Sequence, residues 1–207
     1  MYEGAPTIIT FFFSVIPKVS IFFILYRSFA FCLNAKTALI GYSSFYIYIF
    51  ICCALASIFF GSIGAIYQTK IKRLLAYSTI ANLGFMLLGL STVSVIGVVS
   101  TLFYFFIYIL TSIQIFYIIS IIRRQTSKLK IKNLVDFVAL SRANFFLSVL
   151  LICGLLSFAG IPPMAGFFGK VFVIYALIIQ GQYLLALFGV LFSVLTCVYY
   201  IRLIRFI

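Results

Sequence analysis

Apolar residues in this chain neither alternate nor recur with a helical period; they run on. Uncharged stretches cover 37–69, 74–122, 143–169 and 171–201, and another apolar stretch, from Thr7 to Tyr26, is interrupted only by Lys18. A hydrocarbon core of ~30 Å takes about 20 helical residues, so each stretch is long enough to cross a bilayer at least once. The pattern predicts six helices, over about 7–33, 41–68, 74–90, 95–122, 143–179 and from about 183 to the C-terminus. Ser91-Thr92-Val93-Ser94 and Gln180-Gly181-Gln182 supply turns, and 123–142 is a polar surface linker with room for a brief amphipathic helix. The predicted fold class is an all-α, polytopic membrane helix bundle, one membrane domain over 1–207.

Composition sharpens this reading. Two thirds of the residues are hydrophobic, and only 15 basic and 2 acidic residues occur in 207. A water-soluble domain needs a charged fraction of roughly a quarter, so a soluble fold is excluded. The net charge of +13 does not signal nucleic acid, because the basic residues lie between apolar stretches rather than on one face. With six spans, Lys70, Lys72, Arg73, Arg123, Arg124, Lys128, Lys130, Lys132, Arg142, Arg202 and Arg205 fall on one side and only Arg27 and Lys36 on the other. That asymmetry places both termini on the matrix or cytoplasmic side. No basic leader or Arg-rich transit peptide precedes the first span. The abundance of Phe, Ile, Tyr and Leu suits an AT-rich organellar genome. With no histidine in the chain, the five cysteines have no metal-ligand spacing and read as small buried apolar residues.

Two lysines remain. Lys18 lies ~16 Å along the first helix, and Lys170 a similar distance from the Gln180 turn. A cation at that depth costs from about 2.5 to well over 10 kcal/mol, so both should face the bundle interior or a hydrated path. A proton carrier and a fixed ion pair are the two uses of such a residue, and the only carboxylates, Glu3 and Asp136, lie outside the spans. The backbone near both lysines is irregular. Pro17 directly precedes Lys18 and should loosen its helix. Gly160-Ile161-Pro162-Pro163-Met164-Ala165-Gly166 should break the fifth helix, giving a discontinuous helix near 157–170. Broken helices beside ionisable residues are a recurring device of ion transporters; a simple packing kink is the alternative.

Three motifs then carry a resemblance. Tyr2-Glu3-Gly4-Ala5-Pro6-Thr7 resembles the loop entering a mid-chain helix of the antiporter-like membrane subunits of respiratory complex I. Gln68-Thr69-Lys70-Ile71-Lys72-Arg73-Leu74-Leu75-Ala76-Tyr77-Ser78 resembles their basic motif. Leu156 to Pro163, with Gly166-Phe167-Phe168-Gly169-Lys170, resembles their broken helix. The family also holds subunits of multisubunit cation/proton antiporters and membrane-bound hydrogenases.

This resemblance implies proton translocation coupled to NADH oxidation by ubiquinone in the mitochondrial inner membrane, with the chain organelle-encoded and both termini on the matrix side. It implies proton-relay roles for Lys18 and Lys170, with the break at Gly160, Pro162, Pro163 and Gly166. Asn82 stands where the family often has histidine, and is a candidate for relay or hydration. Lys72 and Arg73 match a motif at the matrix surface and are expected to contact anionic phospholipid. NADH, FMN, iron–sulfur clusters and ubiquinone would bind other subunits, with no cofactor or metal in this chain. The chain matches the last span of a first five-helix repeat plus a second repeat. A separate polypeptide is therefore expected to carry the N-terminal half and its acidic residue, and other membrane-arm subunits would be partners. The rival implications are an antiporter or hydrogenase subunit, and a non-conducting scaffold of the membrane arm.

Overall fold

The computed structural model describes residues 6–34, 40–125, 134 and 144–207. Seven helices lie among them: α1 (Thr7–Asn34), α2 (Ile40–Ile66), α3 (Ile71–Ser91), α4 (Val95–Gln125), α5 (Phe145–Ala159), α6 (Ala165–Ile179) and α7 (Tyr183–Arg205). Five of these are long and apolar enough to cross a membrane, and α5 and α6 are shorter apolar helices. Six predicted spans thus become five unbroken helices and one divided into two pieces of 15 residues each. The Tyr2–Ala5 motif, Lys36, and most of the 123–142 linker with Lys128, Lys130, Lys132, Asp136 and Arg142 lie outside the described residues, as does Glu3.

The predicted turns form as their chemistry requires. Ser94 Oγ accepts the Gly97 N–H at 3.0 Å and so caps the start of α4. Gly181 takes a left-handed conformation (φ 72°) that a glycine adopts without steric cost. Two boundaries differ from expectation. α3 begins at Ile71, so Lys72 and Arg73 lie within its first turn instead of before it. Pro17 sits inside α1, and the helix continues through it from Thr7 to Asn34. One missing N–H does not outweigh the many ladder bonds that an apolar surrounding makes obligatory.

α3 and α4 form the centre. α3 packs on α1, α2, α4, α6 and α7, while α4 packs on α1, α3, α5 and α6. Their inward apolar side chains, including Leu74, Leu88, Ile115 and Ile118, are almost wholly buried, while α4 also turns Phe106 and Tyr117 outward. By contrast α1, α2 and α7 turn large apolar residues such as Phe12, Phe23, Phe60 and Leu191 outward. Such a surface suits lipid or further apolar helices and not water. The same preference corrects the reading of the cysteines. Cys52 and Cys53 are exposed on α2, and Cys153 and Cys197 are only partly buried. In a lipid environment small apolar side chains need no core.

Small residues set the α2–α3 seam. Ala54, Ser62 and Ala65 are fully buried on α2. A Cβ at Gly61 would come within 2.5 Å of the Ala81 backbone nitrogen on α3. Backbones approach this closely only where side chains are absent or minimal.

Three segments assigned by charge to one side of the membrane also meet in space. Arg202 on α7 donates to the Ile66 carbonyl at the end of α2, at 2.8 Å. The Leu134 N–H, from the α4–α5 linker, donates to the Thr69 carbonyl at 2.9 Å. An even number of crossings between each pair of these segments is what brings them to one face.

The seam yields a prediction. Gly61→Ala should destabilise the detergent-solubilised protein by about 1–3 kcal/mol through overpacking against backbone. Gly189→Ala, whose Cβ would meet its nearest neighbour at 3.8 Å, should be neutral or stabilising by up to ~1 kcal/mol. Thermal unfolding of the two variants measures the difference.

Candidate functional site

A helix that stops inside a membrane leaves its last four carbonyl oxygens without ladder partners. In α5 these belong to Leu156, Ser157, Phe158 and Ala159. Gly160 turns left-handed (φ 78°, ψ 43°) and its N–H donates to the Leu156 and Ser157 carbonyls at 3.0 and 3.1 Å. The Ile161 N–H adds a bond to the Leu156 carbonyl at 3.2 Å, completing a glycine C-cap. Pro162 and Pro163, which have no N–H, carry the chain outward to exposed positions before α6 restarts. Gly166 returns beneath α5. Its N–H donates to Ser157 Oγ at 3.2 Å, and any Cβ there would overlap the Ser157 carbonyl. All four predicted break residues therefore take part in one interruption.

The remaining two carbonyls are met by Lys170. Its Nζ donates to the Ala159 carbonyl at 2.8 Å and to the Phe158 carbonyl at 3.1 Å. A third bond, 3.0 Å long, goes to Thr196 Oγ1 on α7. Three donors meet three acceptors, which fills the hydrogen-bonding capacity of an ammonium group. Its Nζ also sits at the C-terminal, negative end of the α5 dipole, which favours the charged form. Lys170 is only 3% exposed, and its Nζ lies 5.2 Å from the centre of the Phe85 ring on α3. Cys197 Sγ shares the Ala159 carbonyl at 3.3 Å.

Lys18 occupies a different setting, half-buried between α1 and α4. Its Nζ donates to the Tyr108 hydroxyl at 3.3 Å. From Tyr108 a run of rings leads across the bundle. Tyr108 stacks on Phe158 with centroids 5.7 Å apart, and Phe158 lies 5.9 Å from Tyr200. Tyr200 in turn meets Tyr199 at 4.5 Å. The two lysines are thus set apart, with aromatic side chains of α4, α5 and α7 between them.

Asn82 is fully buried on α3, where its Oδ1 accepts the Tyr104 hydroxyl at 3.2 Å. Ser78, Tyr199 and Tyr200 complete one polar cluster around it. Asn82 Nδ2 and the hydroxyls of Tyr199 and Tyr200 lie close together but outside hydrogen-bonding geometry with any described side chain. Polar groups buried this deeply are ordinarily satisfied, by protein or by water. Lys72 is half-buried and Arg73 exposed in the first turn of α3, away from Lys18, Lys170 and Asn82.

Sequence reasoning did not find Tyr104, Tyr108, Thr196, Tyr199 and Tyr200. A signal was present in their spacing. Tyr104 and Tyr108 are four residues apart on one helix face, and Thr196 is three and four residues from the tyrosine pair. Among the described residues, no group of three histidine, cysteine, aspartate or glutamate side chains is arranged to hold a metal ion.

The family described as "NADH:quinone oxidoreductase/Mrp antiporter, TM" matches residues 1–196. NADH-ubiquinone oxidoreductase chain 2 of Marchantia polymorpha is 39% identical over 205 residues, 99% of this chain and 40% of the relative. A chain of the archaeal membrane-bound sulfane sulfur reductase has a similar structure, with TM-score 0.84 and 26% identity, covering 99% of this chain and 40% of that one. A chain of respiratory complex I from Thermus thermophilus matches with TM-score 0.65 and 27% identity, over 76% of this chain and 35% of that one. The sequence spans about 40% of the length of the curated relatives it matches.

The break generates a prediction of its own. Gly160→Ala would place a Cβ in the left-handed region and 2.9 Å from Lys170 Cδ. It should cost about 1–2 kcal/mol from backbone strain alone, measured as a lower thermal midpoint in detergent.

Proposed function

The chain belongs to the NADH:quinone oxidoreductase/Mrp antiporter membrane family, and on that premise we propose that it forms part of the second subunit of a proton-translocating NADH:ubiquinone oxidoreductase. The observation that carries this reading is the buried ammonium of Lys170, bonded to the open carbonyls of an interrupted membrane helix. A charge so costly to bury, placed where backbone acceptors hold it, suits a group that accepts and releases protons.

In this reading Lys18 and Lys170 are proton carriers. The Ser78–Asn82–Tyr104–Tyr199–Tyr200 cluster takes up water and stands in for the histidine that relatives often carry at position 82. α1 closes a first five-helix repeat, and α2 to α7 make up a second, with α5 and α6 counting as one broken helix. NADH, FMN, iron–sulfur clusters and ubiquinone bind other subunits of the complex. An acidic partner for Lys18 comes from the portion of the subunit outside these 207 residues. Similarity to chain 2 of plant NADH-ubiquinone oxidoreductases supports the mitochondrial inner membrane as the location. The charge asymmetry supports both termini on the matrix side. Lys72 and Arg73 then lie at the matrix surface, where anionic phospholipid attracts them.

The family description also includes Mrp antiporters. A cation/proton antiporter subunit uncoupled from redox chemistry is therefore the second reading, and co-purification with a flavin and iron–sulfur enzyme separates the two.

Lys170→Met in the assembled complex should reduce protons pumped per NADH oxidised to a small fraction of the wild-type value. Measurement in sealed vesicles decides the question. Wild-type pumping by a fully assembled variant would overturn the relay role and leave a scaffold.

A further inference from the structure

Of the three hydrogen bonds that Lys170 donates, two go to carbonyls and the third to a hydroxyl. Thr196 Oγ1 accepts from Lys170 Nζ at 3.0 Å and donates to the Ser193 carbonyl, one turn back on α7, at 2.7 Å. Thr196 is fully buried. Of the three acceptors that Lys170 meets, the two carbonyls can only accept. The hydroxyl alone can also donate.

We propose that Thr196 is a positioning residue for proton transfer at Lys170, its hydroxyl reversing direction as the lysine changes charge. This rests on the relay role proposed above. As an ammonium, Lys170 fills all three acceptors and the Thr196 proton points to Ser193. Loss of one proton to a water, which carries it on as hydronium, leaves an amine with two N–H groups and one lone pair. The two N–H groups remain on the Phe158 and Ala159 carbonyls, so the broken helix stays capped. The lone pair then faces Thr196 Oγ1, and the hydroxyl turns from the Ser193 carbonyl to donate to it. The Ser193 carbonyl keeps its ladder bond within α7, and no buried group is left without a partner in either state. A purely accepting third ligand could not serve the neutral amine.

Among the described residues, the other elements packed against α6 offer no equivalent group at Lys170. α3 presents the Phe85 ring, and α5 presents the two carbonyls. α4 brings Tyr104, packed against Gly169. Besides Thr196, α7 presents Cys197, the titratable group facing Lys170, whose Sγ is engaged with the Ala159 carbonyl.

The test compares Thr196→Val, which keeps the shape and removes the hydroxyl, with Thr196→Ser, which keeps the hydroxyl. Both are made in the assembled complex, and protons pumped per NADH oxidised are measured in sealed vesicles beside Lys170→Met. The expected result is a severalfold loss for Thr196→Val, with Thr196→Ser near wild type. Wild-type pumping by Thr196→Val, or an equal loss in the assembled Thr196→Ser enzyme, overturns the proposal while a defective Lys170→Met leaves the relay reading standing. Wild-type pumping by Lys170→Met overturns both.

Discussion

Backbone carbonyls that end inside a membrane must find donors, and the region from residue 156 to residue 200 is organised by that requirement. Two carbonyls of α5 are met by the glycine turn and two by Lys170. The need runs both ways, because an ammonium 3% exposed would be untenable without acceptors. Each irregularity therefore makes the other tolerable. The close approach of α6 to α5 at Gly166, and of α6 to α4 at Gly169, brings Lys170 to the open carbonyls. Thr196 and Cys197 then join α7 to Lys170 and to the Ala159 carbonyl.

Much of this was legible in the sequence for reasons of length and chemistry. Uncharged stretches longer than a bilayer is thick announce spans, whatever their residues. Prolines between glycines announce a break, and Lys170 four residues beyond it announces a charge near the break. What was not legible is whatever depends on how helices meet. Tyr108 is 90 positions from Lys18 in the chain, and no local pattern pairs them. Thr196 reads as an ordinary membrane threonine bonded to its own helix until α6 is placed against it. The onset of α3 at Ile71 is set by the Lys70 carbonyl accepting the Leu74 N–H. Charge alone suggested that a helix would begin after Arg73 instead.

The outer helices explain why so apolar a chain has so modest a core. α3 is packed on most sides, whereas only about a quarter of the spanning residues of α1, α2 and α7 are buried. Their serines and threonines are largely bonded to carbonyls of their own helix, such as Ser20 to Pro17 and Ser193 to Val190. A hydroxyl satisfied in this way can face lipid or another helix with little penalty. These faces suit incorporation into a larger membrane assembly, in which α3 is already largely enclosed and the periphery is not.

Phe158 has two allegiances. Its carbonyl holds Lys170, and its ring lies against Tyr108, the residue that holds Lys18. One residue of α5 therefore touches the surroundings of both lysines, through its backbone at one and through its ring at the other. Because that carbonyl belongs to the backbone, the side chain at position 158 can change its fit against Tyr108 without removing the acceptor that Lys170 uses.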